Sequence, residues 1–209
     1  MKKISLLLSL ALMVFATTFV ACEDDPLNIN DIQNDGDEND NYQMHSFNET
    51  LNYNSTKAST GSAFCASTRQ AVPATSSDAD FCVGTQGQYG TFVCSPNASL
   101  LKQCYDANGI TYSNNKSAKI QNLGNADIQD YFDVNTLDQM TVSSDIIYDY
   151  KDEQESVGVG VKQLTSGQVI AFETSDGCKG VAKMSFSKVT KTVSISGYVA
   201  VPKNSSGSK

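Results

Sequence analysis

Tryptophan is missing from this chain of 209 residues, and histidine occurs once, at position 45. The first absence removes the largest aromatic surface on which a sugar ring or a base can stack. The second argues against a histidine-rich metal centre and leaves any Ser/His/Asp or Cys/His hydrolase dependent on His45 alone. The sequence places that residue where an acidic N-terminal stretch meets the domain. Phosphate loops are lacking too: GVGVK, 158–162, follows neither Walker nor Rossmann spacing and lies in a strand pattern. No CxxC spacing occurs among the six cysteines, which disfavours a four-thiolate zinc site. No basic stripe interleaved with aromatics occurs, so a nucleic-acid partner is not expected. Neither a resident metal nor a cofactor is expected.

What is present begins with the one long uncharged run. Lys2 and Lys3 precede Ile4–Val20, seventeen residues without a charge, ending at small Ala21 and Cys22. A membrane-spanning helix needs ~20 apolar residues, and no positive stop-transfer cluster follows, so residues 1–21 read as a cleaved signal peptide. From the residues alone, Cys22 is either the first residue of the mature chain or an ordinary member of the apolar segment. The stretch FVAC, Phe19–Cys22, resembles the lipobox of bacterial lipoproteins, with Phe19 where leucine is usual. That resemblance implies a lipid anchor at Cys22, with palmitate-type acyl chains holding the protein to a membrane; stable attachment takes more than one chain or signal. The acids that follow, Glu23, Asp24 and Asp25, resemble the export signal of Bacteroidetes surface lipoproteins, which implies the outer membrane and the cell surface. The periplasmic face is the alternative.

The net charge of −8 is unevenly spread. From Glu23 to Asn41 there are eight acids and no lysine or arginine, whereas from Tyr42 onward fifteen acids face thirteen bases. Residues 22–43 therefore read as a disordered acidic tether that cannot bury enough surface to offset its conformational entropy. Nineteen flexible residues span ~25 Å. The fragment DGDEN, 35–39, lacks the glycine and glutamate of a calcium loop, whose positions hold Asp40 and Ser46. Residues 44–203 suit one domain, and 204–209 a disordered tail.

Within the domain the C-terminal third is the clearest. Val157, Val159 and Val161 alternate with polar or glycine positions, and QVIAFET (168–174), Gly180–Val189 and Thr192–Pro202 are separated by turn residues. Val193, Ile195, Val199 and Val201 share one face of the last strand, so an antiparallel meander is expected. Phe47, Leu51 and Tyr53 share a parity, and YGTFVC and GITYS read as further strands. Ser99–Cys104 and the ADIQDYF segment, behind Asn125 as a cap, read as short helices. The expected class is all-β: an antiparallel two-sheet sandwich with one or two short helices. The hairpin Val169–Lys188 is similar to one in small β-rich Bacteroidetes lipoproteins of unassigned function, a similarity that implies no activity. The segment 123–155 holds nine acids and one lysine, and 156–209 seven lysines and two acids, so the two are expected to face one another.

Removing Cys22 from the disulfide count leaves Cys65, Cys82, Cys94, Cys104 and Cys178. The first four fall in Ser/Thr-rich, loop-like sequence and are the disulfide candidates, with local pairs 65–82 and 94–104 expected; Cys178 is left as a free thiol. The acids of 145–155 suffice in type for glycoside hydrolysis, and a solvated turn explains them equally. Tyr148 and Tyr150, flanking Asp149 on one strand face, are the candidate ligand surface. The expectation is a non-catalytic surface module binding an unknown protein or glycan. A small hydrolase using carboxylates in 145–155, or a structural envelope component, is the alternative.

Overall fold

A computed structural model describes residues 41–53, 61–86, 90–143, 146–148 and 166–203. These form two antiparallel sheets packed face to face, with short helices outside them. The N-terminal strand β1 covers Tyr42–Asn52, followed by β2 Ala63–Cys65, β3 Gln70–Val72, β4 Phe81–Gln86 and β5 Gly90–Cys94. Helix α1, Ser99–Asp106, leads to β6, Ala118–Gly124; a 3-10 turn at Ile128–Tyr131 and α2, Val134–Gln139, lead to β7, Ile146–Tyr148. The chain closes with β8 Val169–Thr174, β9 Lys179–Ser187 and β10 Thr192–Pro202. One sheet has the order β1-β10-β9-β8-β6 and the other β3-β2-β4-β5-β7. The expected sandwich and its C-terminal meander are therefore present, and β10 spans the expected residues.

Period-two alternation places two sets of apolar side chains on each sheet. Ile170 and Phe172 of β8 point between the sheets, with Val193, Ile195 and Val199 of β10 and Phe64, Phe81, Val83 and Val93 opposite. A phenylalanine cluster marks the centre of this layer. Phe47 lies 4.6 Å from Phe64, and Phe172 lies 5.3 Å from Phe81, centroid to centroid, joining the two sheets. Burying each ring fully contributes ~1.5–3 kcal/mol relative to exposure.

Each outer face also carries apolar side chains, and a short helix covers them. On the first sheet Val169, Ala171, Val181, Tyr198 and Ala200 meet Ile128, Val134 and Leu137. On the second, Ala63, Cys82, Phe92 and Cys94 meet Leu101, Cys104 and Tyr105 of α1. Cross-strand glycines make room for aromatic rings at two places. Gly84 is the register partner of Phe92 and Gly180 of Phe172, and a Cβ at either glycine would lie 2.5 or 2.4 Å from the partner's Cζ.

Several expectations are corrected. GITYS is not a strand: residues 110–117 run as an irregular segment whose Ile110 and Tyr112 pack beneath α1. The cap of the 3-10 turn is Asp127 rather than Asn125, its side chain accepting from Gln129 N at 3.0 Å. Helix α2, capped by Asp133, has no counterpart in the expected elements. His45 is no boundary residue but the register partner of Val199 inside β1. The strand expected around Val157–Val161 and the acids of 149–155 lie outside the described residues.

Candidate functional site

The chain reverses at one end of the sandwich through three segments that bring opposite charges together. Asp80 immediately precedes β4, Lys116 ends the irregular segment before β6, and Asp176 lies in the β8–β9 turn. The Lys116 ammonium lies 2.8 Å from Asp80 Oδ1 and 2.5 Å from Asp176 Oδ2. Asp80 is 1% exposed and Asp176 about half exposed, so the triad runs from the interior to the surface. Asp80 Oδ2 accepts from Ala66 N at 2.6 Å. Its Oδ1 faces the ammonium and has no other described partner.

Burial pushes the Asp80 carboxyl above the ordinary range, against the opposing pull of Lys116 and the Ala66 N–H. Burial also works against the Lys116 cation, but the Asp176 and Asp80 carboxylates outweigh it and hold its pKa above the ordinary value. A lysine so held is a poor base and a poor nucleophile. The triad ties a loop of one sheet to a hairpin turn of the other, and its lysine is not poised for proton transfer near neutrality.

Cys178 sits two residues beyond Asp176, fully buried among the side chains between the sheets. Its backbone N–H donates to Thr174 Oγ1 at 3.1 Å. Burial pushes its thiol up to about 11, with Asp80 adding in the same direction. The free thiol expected from the sequence is thus an inert core group.

The other four cysteines lie in regular elements, not loops: Cys65 in β2, Cys82 in β4, Cys94 in β5 and Cys104 in α1. All four are buried and none is in a disulfide bond, so the bridges 65–82 and 94–104 are not formed here. Cys82, Cys94 and Cys104 share the cluster beneath α1 with the tyrosines Tyr105 and Tyr112, whose rings stack at 4.8 Å. Tyr112 Oη donates toward the carbonyls of Pro96, at 2.7 Å, and Ala74, at 3.2 Å. Burial raises Cys82 to about 12 and Cys104 to about 11. Among the described residues no group of three or more His, Cys, Asp or Glu side chains could hold a metal ion.

The expected ligand surface is only partly described. Register pairs Tyr148, at the end of the edge strand β7, with Phe92; Asp149, Tyr150 and the lipidation candidate Cys22 lie outside the described residues. His45 is half-buried, its pKa lowered by burial and then by Arg69. Among the described residues the expected meeting of acidic and basic segments is seen in one pair, with Lys179 Nζ 3.1 Å from Asp138 Oδ1 and donating to the Asp138 carbonyl at 2.6 Å.

A surface that the sequence did not single out surrounds Phe132. This ring is 39% exposed and stands edge-on against Tyr198 at 5.3 Å. Tyr131, Met140, Met44 and Tyr42 are half-buried against the same outer-face cluster that holds Tyr198, and the exposed acids Asp127, Asp130 and Asp133 lie in the chain segment of Phe132. The signal was available as an aromatic pair, Tyr131–Phe132, in a helical turn that can bury only one side. No protein-family model, no curated protein and no solved structure matches the chain.

Proposed function

We propose that this protein is a non-catalytic binding domain of an outer-membrane surface lipoprotein, anchored through acyl chains on Cys22 and presenting its sandwich to a protein or glycan ligand. The observation that carries the reading is the stretch Phe19–Asp25, a lipobox-like FVAC followed by acids, ahead of an ordered domain whose first strand starts at Tyr42. The chain enters the sandwich at the Tyr42–Pro202 end, and the β9–β10 turn, with Val189 95% exposed, is at the opposite end of the same ladder.

Binding is favoured over catalysis by what the titratable side chains do. Lys116 is held as a cation between Asp80 and Asp176, and the thiols of Cys82, Cys104 and Cys178 are held protonated by burial. Phe132 and its acidic neighbours supply an amphipathic face of the kind that recognises a protein or glycan. Tyr148, Asp149 and Tyr150 remain the second candidate face.

The reading is tested in cells. Labelled palmitate should enter the wild-type protein and not Cys22→Ser, and protease added to intact cells should remove the domain. A wild-type protein without acyl chains, or a domain protected until the outer membrane is opened, refutes the anchor or its orientation. Phe132→Ala should weaken retention of a captured ligand at least tenfold while leaving the thermal midpoint within a few degrees.

A further inference from the structure

Among the described residues two large apolar side chains stand exposed, Phe132 at 39% and Val189 at 95%, and their charge settings are opposite. Between Leu123 and Asp138 the chain around Phe132 holds Asp127, Asp130, Asp133 and Asp138 and neither lysine nor arginine. The first three acids are exposed. Val189 lies between the exposed Lys188 and Lys191 in the β9–β10 turn, and no acid occurs from Gly177 to Lys203. Neither of these two lysines forms an ion pair with a described residue.

Both patches are held in place before anything docks. Tyr198 backs the Phe132 ring edge-on at 5.3 Å, and its Oη donates to Gln129 Oε1 at 3.3 Å, which ties the 3-10 turn to β10. Asp127 and Asp133 are fixed as caps, accepting from Gln129 N at 3.0 Å and Asn135 N at 3.1 Å. In the β9–β10 turn Lys191 adopts a φ of 53° and its carbonyl accepts from Tyr53 N at 3.1 Å, while Thr190 N donates to Ser187 Oγ at 3.3 Å. Little ordering is left to oppose docking. The two patches do not meet within one copy: Tyr198 stands six residues along β10 from Thr192, ~20 Å at ~3.3 Å per residue.

We propose that the β9–β10 turn of one copy docks on the Phe132 face of a second copy of this chain, with Val189 against the ring and Lys188 and Lys191 among the carboxylates of Asp127, Asp130 and Asp133. The proposal rests on the reading of the Phe132 face as a binding surface and names its partner. Two different patches meet, so each contact leaves one turn and one face free, and association continues as a row of copies or closes into a ring. One turn on one short helical face buries less than a stable dimer needs. The contact is therefore weak between dilute copies and gains from the high effective concentration of copies anchored on one surface.

The test is sedimentation of the full chain at rising concentration, with detergent micelles in excess over protein. Wild type should form species beyond a dimer, and raising the salt from about 0.05 to 0.5 M should weaken association several-fold. Val189→Asp and Phe132→Ala should each weaken it at least tenfold, with thermal midpoints within a few degrees of wild type. Mixed one to one, the two variants should form a pair and stop there, because one supplies the working face and the other the working turn. A wild-type chain monomeric up to roughly 1 mM, association that survives both substitutions, or variants that fail to pair on mixing overturns the proposal. A monomeric wild type that loses a captured ligand on Phe132→Ala sinks self-association and leaves the binding reading of that face standing; if neither self-association nor capture depends on Phe132, both fall.

Discussion

Burial holds the thiol of Cys82 up to about 12 and those of Cys104 and Cys178 up to about 11, whereas the unfolded chain releases such protons near 9. A group whose folded pKa is raised contributes stability that is present below the unfolded value and is lost as pH climbs toward the folded one. All three side chains are buried, so each withdraws roughly 2 kcal/mol between pH 9 and 11. Lys116, also raised, adds to the loss above its ordinary pKa of 10.5. The thermal midpoint of the reduced protein is therefore expected to fall steeply from pH 8 to 11, and Cys82→Ala should flatten the fall. A midpoint constant over that range would contradict the burial of these thiols.

At the scale of elements, the paired glycines and phenylalanines decide how closely strands approach. Phe172 lies over Gly180, where an added Cβ would also stand 2.6 Å from Tyr198 O. Gly180→Ala must move a ring or a backbone carbonyl and is expected to cost ~1–3 kcal/mol in denaturant titrations. A matched change at half-buried Gly167, where an added Cβ would meet nothing within 4 Å, should act instead through its positive φ of 91°. The same elements show what was legible in the sequence. The meander β8–β9–β10 was, because turns separate its strands and one face of β10 is continuously apolar. The second sheet was not. Its short strands β2, β4 and β5 are covered on both faces, so Ala63–Phe64–Cys65 and Phe81–Cys82–Val83 carry no polar alternation, and the cysteines looked like loop residues. Helix α2 was hidden for another reason: its six residues hold only two buried apolar side chains, Val134 and Leu137, too few to set a helical period. Of the candidate sites, Cys178 was reached only as the thiol left over from two expected bridges, and those bridges are not formed. The ion triad could not be read from the chain, because Asp80, Lys116 and Asp176 meet only through the fold.

For the molecule as a whole, the paired terminal strands define how it would carry load. Eleven residues of β1 pair in continuous register with β10, from Tyr42 opposite Pro202 to Asn52 opposite Thr192. Pulling apart Tyr42 and Pro202, which lie side by side, separates this ladder one pair at a time, like a zip. Tension applied between Tyr42 and Val189 runs along the strands and shears all eleven pairs together. Single-molecule stretching between residues 41 and 203 should therefore rupture the domain at low force, and stretching between residues 41 and 189 at a force several times higher. Equal forces for the two geometries would show that β1 does not bear the load. For a domain tethered at one end and gripped at the other, the direction of use is the direction in which the fold is mechanically strongest.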